Sequence, residues 1–569
     1  MDPGEGTRSV DRLKWWGWGE EGKSYPLDDR PNAWPFLNQI LGLSGSERSP
    51  RLTLDQIKLR KSRADERLII ELQRIVGKEN VSTETRERLV HSMGKGYQDL
   101  IRVRRGIVQS PPDIVVYPAS EGQVATILEC ASQRDASVIP FGGGTSVVGG
   151  VEARPREEGG LLLSLDMTRM NRVLAMDPVS LTAKVESGIM GPDLEEKLNQ
   201  AGYTLGHFPE SFEYSTLGGW IAARAAGQKS TRYGKIEHMV EGLRLISPTG
   251  TIATRDVPAS AAGPNLKQFL IGSEGIFGVL TEVTLRIHRY PDRIEHRGLL
   301  LRDFSSGIGV LREILQAGVN PPTLRLSDSP ETRAYAALLR RPRKMTGRLK
   351  TRLGMWLMKR RGFSLQSSSL LIVGLEGSEA QVAEQRRIVL AKCREAGAFN
   401  LGRGAGEAWY RDRFELPYLR DVLLDRGVMV DTLETATTWR NLENLYLRVK
   451  EAIEEAIASM GVKPYVMCHV SHLYKDGASL YYTFLAKQVE GREMEQWREV
   501  KKASCQCILE NGGTLSHHHG VGLEHAAWME GEVGRKGKEL ISAVKSTLDP
   551  RGIMNPGKIL GTTPEWRDP

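Results

Sequence analysis

The side chains best suited to chemistry lie late in the chain. Leu515-Ser-His-His-His-Gly-Val-Gly522 sets three adjacent histidines, His517, His518 and His519, between glycines and well inside the sequence. Imidazole titrates near neutrality, so such a run suits proton transfer. Read as a strand, the three rings alternate faces and do not converge on one metal as i, i+4 helical pairs can. A second cluster is Cys468-His-Val-Ser-His-Leu-Tyr-Lys-Asp-Gly-Ala-Ser-Leu-Tyr-Tyr-Thr-Phe484. Tyr481 and Tyr482 point to opposite faces of a strand, so only one can serve a site as acid or base. His469 and His472 have ligand chemistry, but no carboxylate sits beside them in sequence to complete a metal set. Two arginines need partners: Arg325 inside the apolar strand Thr323-Leu-Arg-Leu326, and Arg420 in Leu416-Pro-Tyr-Leu-Arg-Asp421. Each can bind a phosphate bidentately or form a structural ion pair, and Asp421 is a ready counter-ion.

These groups need a scaffold, and its most distinctive part is Pro140-Phe-Gly-Gly-Gly-Thr-Ser-Val-Val-Gly-Gly150. Glycines allow φ > 0 and let backbone N–H groups approach an anion, while Thr145 and Ser146 add hydroxyl donors. A pyrophosphate is the natural guest. Two more small-residue stretches follow: Pro209 to Gly219, leading into an Ala-rich helix from Trp220 to Ala226, and Ile271 to Gly278. The surrounding pattern is βαβ, with a strand over Asp113 to Pro118, a helix capped by Ser120, and a strand before the glycine loop. Further strands are expected at 160–165 and 181–187, and a hairpin over 239–252 turning at Ser247-Pro-Thr-Gly250.

The chain as a whole reads as α+β. Residues 1–94 form an N-terminal helical arm whose Leu13-Lys-Trp-Trp-Gly-Trp18 and Trp34-Pro-Phe36 are expected to anchor it on the domain behind. Residues 95–292 hold the glycine loops. Residues 293–510 alternate strands and helices as an α+β cap over the ligand, and 511–569 carry the histidine run and C-terminal helices. The 569 residues are too many for one core. No apolar run is long enough to cross a bilayer. Five cysteines (130, 393, 468, 505 and 507) show neither a disulfide framework nor zinc spacing, which fits a reducing cytoplasm. No signal-peptide or peroxisomal pattern is read at either end. The formal charge of +8 does not by itself choose between nucleic acid, phosphorylated substrate and anionic lipid. Ten Lys/Arg and no acid lie between Arg340 and Arg361, interleaved with Trp356, Leu357 and methionines. Such a segment points to an anionic membrane surface, hence to a cytoplasmic enzyme peripheral on the inner face of a membrane. Nucleic acid is not expected as a partner; a homodimer is compatible with the chain.

The series PFGGGTSVVGG, PESFEYSTLGGW and IGSEGIFGVLTEV, with the closing Asp549-Pro-Arg-Gly-Ile-Met-Asn-Pro-Gly-Lys558, resembles the PCMH-type FAD-binding domain of the vanillyl-alcohol-oxidase superfamily. The resemblance implies a non-covalent FAD. Its pyrophosphate would lie on Pro140, Phe141, Gly142, Gly143, Gly144, Thr145 and Ser146. Glu210, Ser211, Phe212, Glu213, Tyr214, Ser215 and Thr216 would line the rest of the dinucleotide with Ala223, Arg224, Ala225 and Ala226. The last such stretch would be Glu274, Gly275, Ile276, Phe277, Gly278, Val279 and Leu280. Some members tether flavin through histidine; His207 is placed for this, and a structural role is expected of it instead.

SHHHGVG at 516–522, DGASLYYTF at 476–484, LRLSD at 324–328 and LPYLRD at 416–421 further resemble, in order, the alkyldihydroxyacetonephosphate synthase branch. That branch implies ether-lipid synthesis without net redox change. Acyl-dihydroxyacetone phosphate would exchange its fatty acid for a long-chain fatty alcohol, with flavin N5 acting as nucleophile toward substrate C1. Tyr481 would be the acid/base, with Tyr482 its rival. His517, His518 and His519 would assist proton transfer, Arg420 would bind the phosphate, and Arg325 would shape the pocket. The alternative is an FAD-linked dehydrogenase of D-lactate or another 2-hydroxy acid. Those relatives typically carry Gly-Glu-His-Gly where this chain has His-His-His-Gly. No metal is assigned, although His469 and His472 leave one open.

Overall fold

A computed structural model describes residues 10–340 and 354–561. The unit that holds the glycine loop is built on two sheets. In the first, Ile114–Val116, Leu162–Asp166 and Ser137–Phe141 run parallel, with Val81–Ser82 antiparallel at one edge. Parallel strands are covered on both faces, which is why these read as unbroken apolar runs. Their cover is the helices Glu66–Val76 and Glu121–Gln133, through Leu68, Leu72, Val124 and Ile127. Ser120 caps the second of these, accepting the Gln123 N–H at 3.3 Å. The second sheet is antiparallel, and its Val240–Ser247 and Gly250–Ala253 strands form the expected hairpin. The closing segment returns to this unit. Met554 bridges Val138, and Asn555 Nδ2 donates to the carbonyls of Gly150 at 2.9 Å and Glu274 at 2.6 Å.

The cap is a seven-stranded antiparallel sheet. Its order is Phe399–Gly402, Arg293–Leu301, Ser369–Gly377, Thr323–Ser327, Tyr465–Leu473, Gly477–Lys487 and Val428–Thr438. Side chains alternate along each strand, and residues opposite one another share a face. Leu324, Leu326, Cys468, Val470, Leu480, Tyr482 and Phe484 take one face, into a core with the helices Phe304–Gln316, Glu379–Glu395 and Leu442–Ser459. The register Ser327↔His469, His469↔Tyr481 and Tyr481↔Glu434 runs a row of polar side chains across the other face.

The arm's tryptophans do anchor it. Trp15 and Trp18 are buried in the same core as the cap, and the Arg51 guanidinium lies 3.6 Å from the Trp16 ring. Asp421 is the fastening point: it accepts from Lys14 Nζ at 3.1 Å and from the Trp18 N–H at 3.0 Å. The helix Glu66–Val76, read from sequence as part of the arm, packs instead into the core of the glycine-loop unit. No helix among the described residues is long and apolar enough to cross a membrane.

Candidate active site

One cavity of about 440 Å³ lies between the glycine-loop unit and the polar face of the cap. Pro140 to Ser146 line one side of it, as do Glu210, Ser211, Ser215, Thr216, Ala223, Ala225, Ala226, Glu274, Gly275, Gly278, Val279 and Leu280. Arg325, Tyr335, Arg420, His469, Tyr481, His518 and His519 line the other. The three loops and the late-chain side chains therefore meet, although up to about 380 residues separate them. Phe212, Glu213, Tyr214, Arg224, Ile276, Phe277 and His517 are not among the lining residues. Arg224 turns away, its Nε donating to the Ile271 carbonyl at 3.0 Å.

The glycines serve close approach more than unusual dihedrals. Of Gly142, Gly143 and Gly144 only the last has positive φ, at +66°. A Cβ on Gly143 would stand 1.8 Å from the Tyr214 carbonyl oxygen, and one on Gly142 2.2 Å from Thr216 Oγ1. The first loop is thus bare because the second packs against it. Glu274 is committed as well: its carboxylate accepts the backbone N–H groups of Val521 and Gly522, binding the histidine segment to the glycine-loop unit. His207 sits behind the cavity wall, fully buried and packed 4.8 Å from Trp220, which does line the cavity.

Across the cap sheet, pleat parity decides between the tyrosines. Tyr481 faces the cavity; Tyr482 faces the helices, its hydroxyl 3.2 Å from the Leu445 carbonyl that it donates to. The Tyr481 ring lies nearly parallel to His469 at 4.8 Å (18°) and to His518 at 5.9 Å (23°), with His519 edge-on at 5.5 Å. Burial, and then the Glu210 charge, push its phenol well up, so it stays protonated through neutral pH.

The histidine run is not a strand. It is a tight loop wrapped around one carboxylate, Glu434, which sequence reading missed. Glu434 accepts the N–H groups of His517 at 2.6 Å, His518 at 3.0 Å and His519 at 2.8 Å, and the Ser516 hydroxyl at 2.7 Å. Successive backbone N–H groups make an anion-binding concavity, and here the chain's own carboxylate fills it. Burial opposes that charge, but His518 and the neighbouring donors hold the carboxyl well below its usual range. Burial pulls His519 down to about 3, and His517 and His472 well below neutrality, so these rings are neutral donors and acceptors at pH 7. Glu434, His517 and His518 bring ligand atoms within 4.8 Å of one another, the spacing a metal site would need. His469 and His472 have other partners: Glu331 at 3.0 Å and Ser230 Oγ at 2.6 Å.

The two arginines differ sharply. Arg325 is neutralised by a second residue that sequence reading missed, Glu331, at 3.0 Å, and also reaches Ser327 Oγ and His469 Nδ1 at 3.0 Å each. Arg325 thus positions the His469 ring against Tyr481. Arg420 donates from Nη1 to the Lys95 carbonyl, while its buried Nε and Nη2 find no partner among the described residues. A buried guanidinium edge without an acceptor is costly, and this one belongs to a residue of the cavity wall. It suits an anion.

Comparison with known proteins places the chain. Residues 112–255 match the FAD binding domain model, and residues 291–559 that of the FAD linked oxidases, C-terminal domain. The chain is 34% identical over its full length to the alkyldihydroxyacetonephosphate synthase of Trypanosoma brucei brucei, covering 95% of that protein. It belongs to the alkyldihydroxyacetonephosphate synthase family. The Dictyostelium discoideum family member is also 34% identical, over 99% of this chain and 96% of that one. A solved alkyldihydroxyacetonephosphate synthase structure, 32% identical, superposes with a TM-score of 0.83 over 96% of this chain and 99% of that one. The fold is accordingly α+β, an FAD-binding domain joined to an FAD-oxidase C-terminal domain, and FAD is the cofactor. The cavity fits it. Its three converging loops present mainly Gly, Ala, Ser and Thr to the lumen, leaving backbone open to a planar dinucleotide.

Proposed function

We propose that the protein makes ether lipid, exchanging the fatty acid of acyl-dihydroxyacetone phosphate for a long-chain alcohol to give alkyl-dihydroxyacetone phosphate. Family membership supports this reading, and Arg420, a buried cation with an unpaired edge in the wall of a largely apolar cavity, carries it. A substrate with one phosphate and a long apolar tail answers both features. FAD, held along the three loops, supplies a ring nitrogen nucleophilic enough for substitution without net oxidation. The chain's own residues do the rest. Arg420 binds and orients the phosphate. Tyr481, kept protonated, donates toward the departing carboxylate oxygen as the ester C–O bond breaks. His518 and the neutral His519 accept the alcohol's proton as the ether C–O bond forms. Fatty acid leaves as the carboxylate and one proton is released. We assign Glu434, His517 and His518 to proton handling rather than to a metal, because the carboxylate and both rings already bond one another or the backbone.

Anaerobic incubation of holoenzyme with acyl-dihydroxyacetone phosphate and hexadecanol should yield alkyl product and fatty acid in equal amounts, read by mass spectrometry. Lasting bleaching of the flavin by D-lactate, with no fatty acid released from the lipid, would instead establish a 2-hydroxy-acid dehydrogenase.

Delivery of such substrates suggests an anionic membrane surface as partner. Residues 354–360 are helical, with Met355 (51%), Trp356 (53%) and Leu357 (39%) exposed and Arg360 5.3 Å from the Trp356 ring. Most of the basic run, residues 341–353, lies outside the described residues. Co-sedimentation with phosphatidylglycerol liposomes should weaken several-fold in Trp356→Ala/Leu357→Ala and in high salt. Equal binding of variant and parent would remove this partner from the reading.

A further inference from the structure

The exchange liberates a proton inside a buried site. Breaking the ester C–O bond yields a carboxylate, and forming the ether bond strips the alcohol of its O–H hydrogen. The rings around Tyr481 accept it, but turnover requires that it leave. Following hydrogen bonds outward from those rings separates two directions. His469 ends in the buried Arg325–Glu331 pair. His518 continues toward the surface: its Nδ1 is 3.0 Å from His517 Nδ1, and His517 Nε2 is 2.7 Å from the Tyr474 hydroxyl.

We propose that His518, His517 and Tyr474 form the proton exit from this cavity, with Tyr474 as the outermost relay. This rests on the ether-exchange reading. His518 lines the cavity and stacks on Tyr481; His517 does not line it; Tyr474 is half-buried and is followed by the exposed Lys475 and Asp476. An imidazole takes a proton on one ring nitrogen and releases another from the opposite nitrogen. Entry at His518 therefore moves charge through both nitrogens of His517 to the phenol oxygen with no side-chain travel. Each carrier ends as it began once the tautomers reset.

The surroundings hold this chain in register. His472 packs at 5.4 Å on the His517 ring and at 4.8 Å on His518, and is itself fixed by Ser230. It reaches this position from a left-handed backbone, φ +51°, at an irregularity in the cap sheet. Lys235 Nζ donates to the His517 carbonyl and pairs with Glu237 at 3.3 Å. The Lys235 charge discourages a proton from resting on His517. Burial, and then the Glu237 carboxylate, push the Tyr474 phenol up, so it too is protonated at rest. Tyr474 does not touch the cavity, so its part is conduction, not bond making.

The test uses holoenzyme carrying Tyr474→Phe, which keeps the ring and removes only the hydroxyl. The exchange kcat is expected to fall at least about tenfold, with KM for both substrates and flavin content unchanged, and added imidazole should restore it by replacing the missing relay. His517→Gln should show the same loss and the same rescue. A Tyr474→Phe enzyme with full kcat, or one whose loss imidazole does not restore, overturns the proposal. Wild-type enzyme without exchange activity overturns the functional reading beneath it, and that result is visible before any variant is assayed.

Discussion

Tyr481→Phe should lose about 10³-fold in exchange rate while binding FAD as tightly as the parent. The substitution is unusually clean. Phenylalanine keeps the ring between His469 and His518, and only the hydroxyl disappears. That hydroxyl is the one buried phenol on the cavity face of its strand, held protonated by burial and by Glu210. Stability should change by no more than about 1 kcal/mol, the worth of one neutral hydrogen bond. Tyr482→Phe is the control: its hydroxyl bonds the Leu445 and Tyr446 carbonyls on the opposite face, so stability should fall slightly and rate should not. Single-turnover release of fatty acid reads the difference. A Tyr481→Phe enzyme at full rate would remove this residue from the chemistry.

Arg420→Met should separate function from stability in opposite directions. Two charge-assisted hydrogen bonds to substrate phosphate, at about 1.5–3 kcal/mol each, predict a fall of about 10²–10⁴ in kcat/KM for acyl-dihydroxyacetone phosphate. The unliganded protein, however, carries a buried guanidinium whose Nε and Nη2 are unsatisfied, and burial pulls its pKa down. Replacing it with an apolar chain of similar length relieves that cost, so the melting temperature without substrate should hold or rise. A structural arginine would behave the other way, with a lower melting temperature and an unchanged kcat/KM. Arg325→Met supplies the stability half of that contrast: it strands the Glu331 carboxylate, so the melting temperature should fall.

The glycine loops, the capped helix and the 247–250 turn were legible because each depends on residues close together in sequence. Tyr481 and Tyr482 could be recognised as rivals but not ranked. Which one faces the cavity depends on register with Glu434 and His469 on neighbouring strands. The histidine run read as a strand from local pattern alone. Its loop is imposed by Glu434, more than 80 residues upstream in a strand with no motif to mark it. Glu331 was hidden differently. Six residues from Arg325 and across a strand-to-helix turn, it offers no helical spacing, yet the turn folds it back onto the guanidinium. A lone arginine in an apolar strand did signal that a partner existed, though not which kind. Arg420 gave the same signal, and among the described residues it has a backbone carbonyl but no carboxylate bonded to it.

The fastening of Lys14 and Trp18 to Asp421 also governs when a working site can exist during synthesis. Trp18 is part of the cavity wall, and the carboxylate that secures it is the residue next to Arg420. Lys14 and Asp421 are 407 positions apart. The segment carrying Lys14 and Trp18 therefore cannot dock until the four hundred or so residues up to Asp421 have followed it. Closing so long a loop comes late in folding. Until it closes, one wall of the cavity is missing and the helix carrying Arg420 lacks its tether. The site is therefore incomplete in any nascent chain that has not reached Asp421.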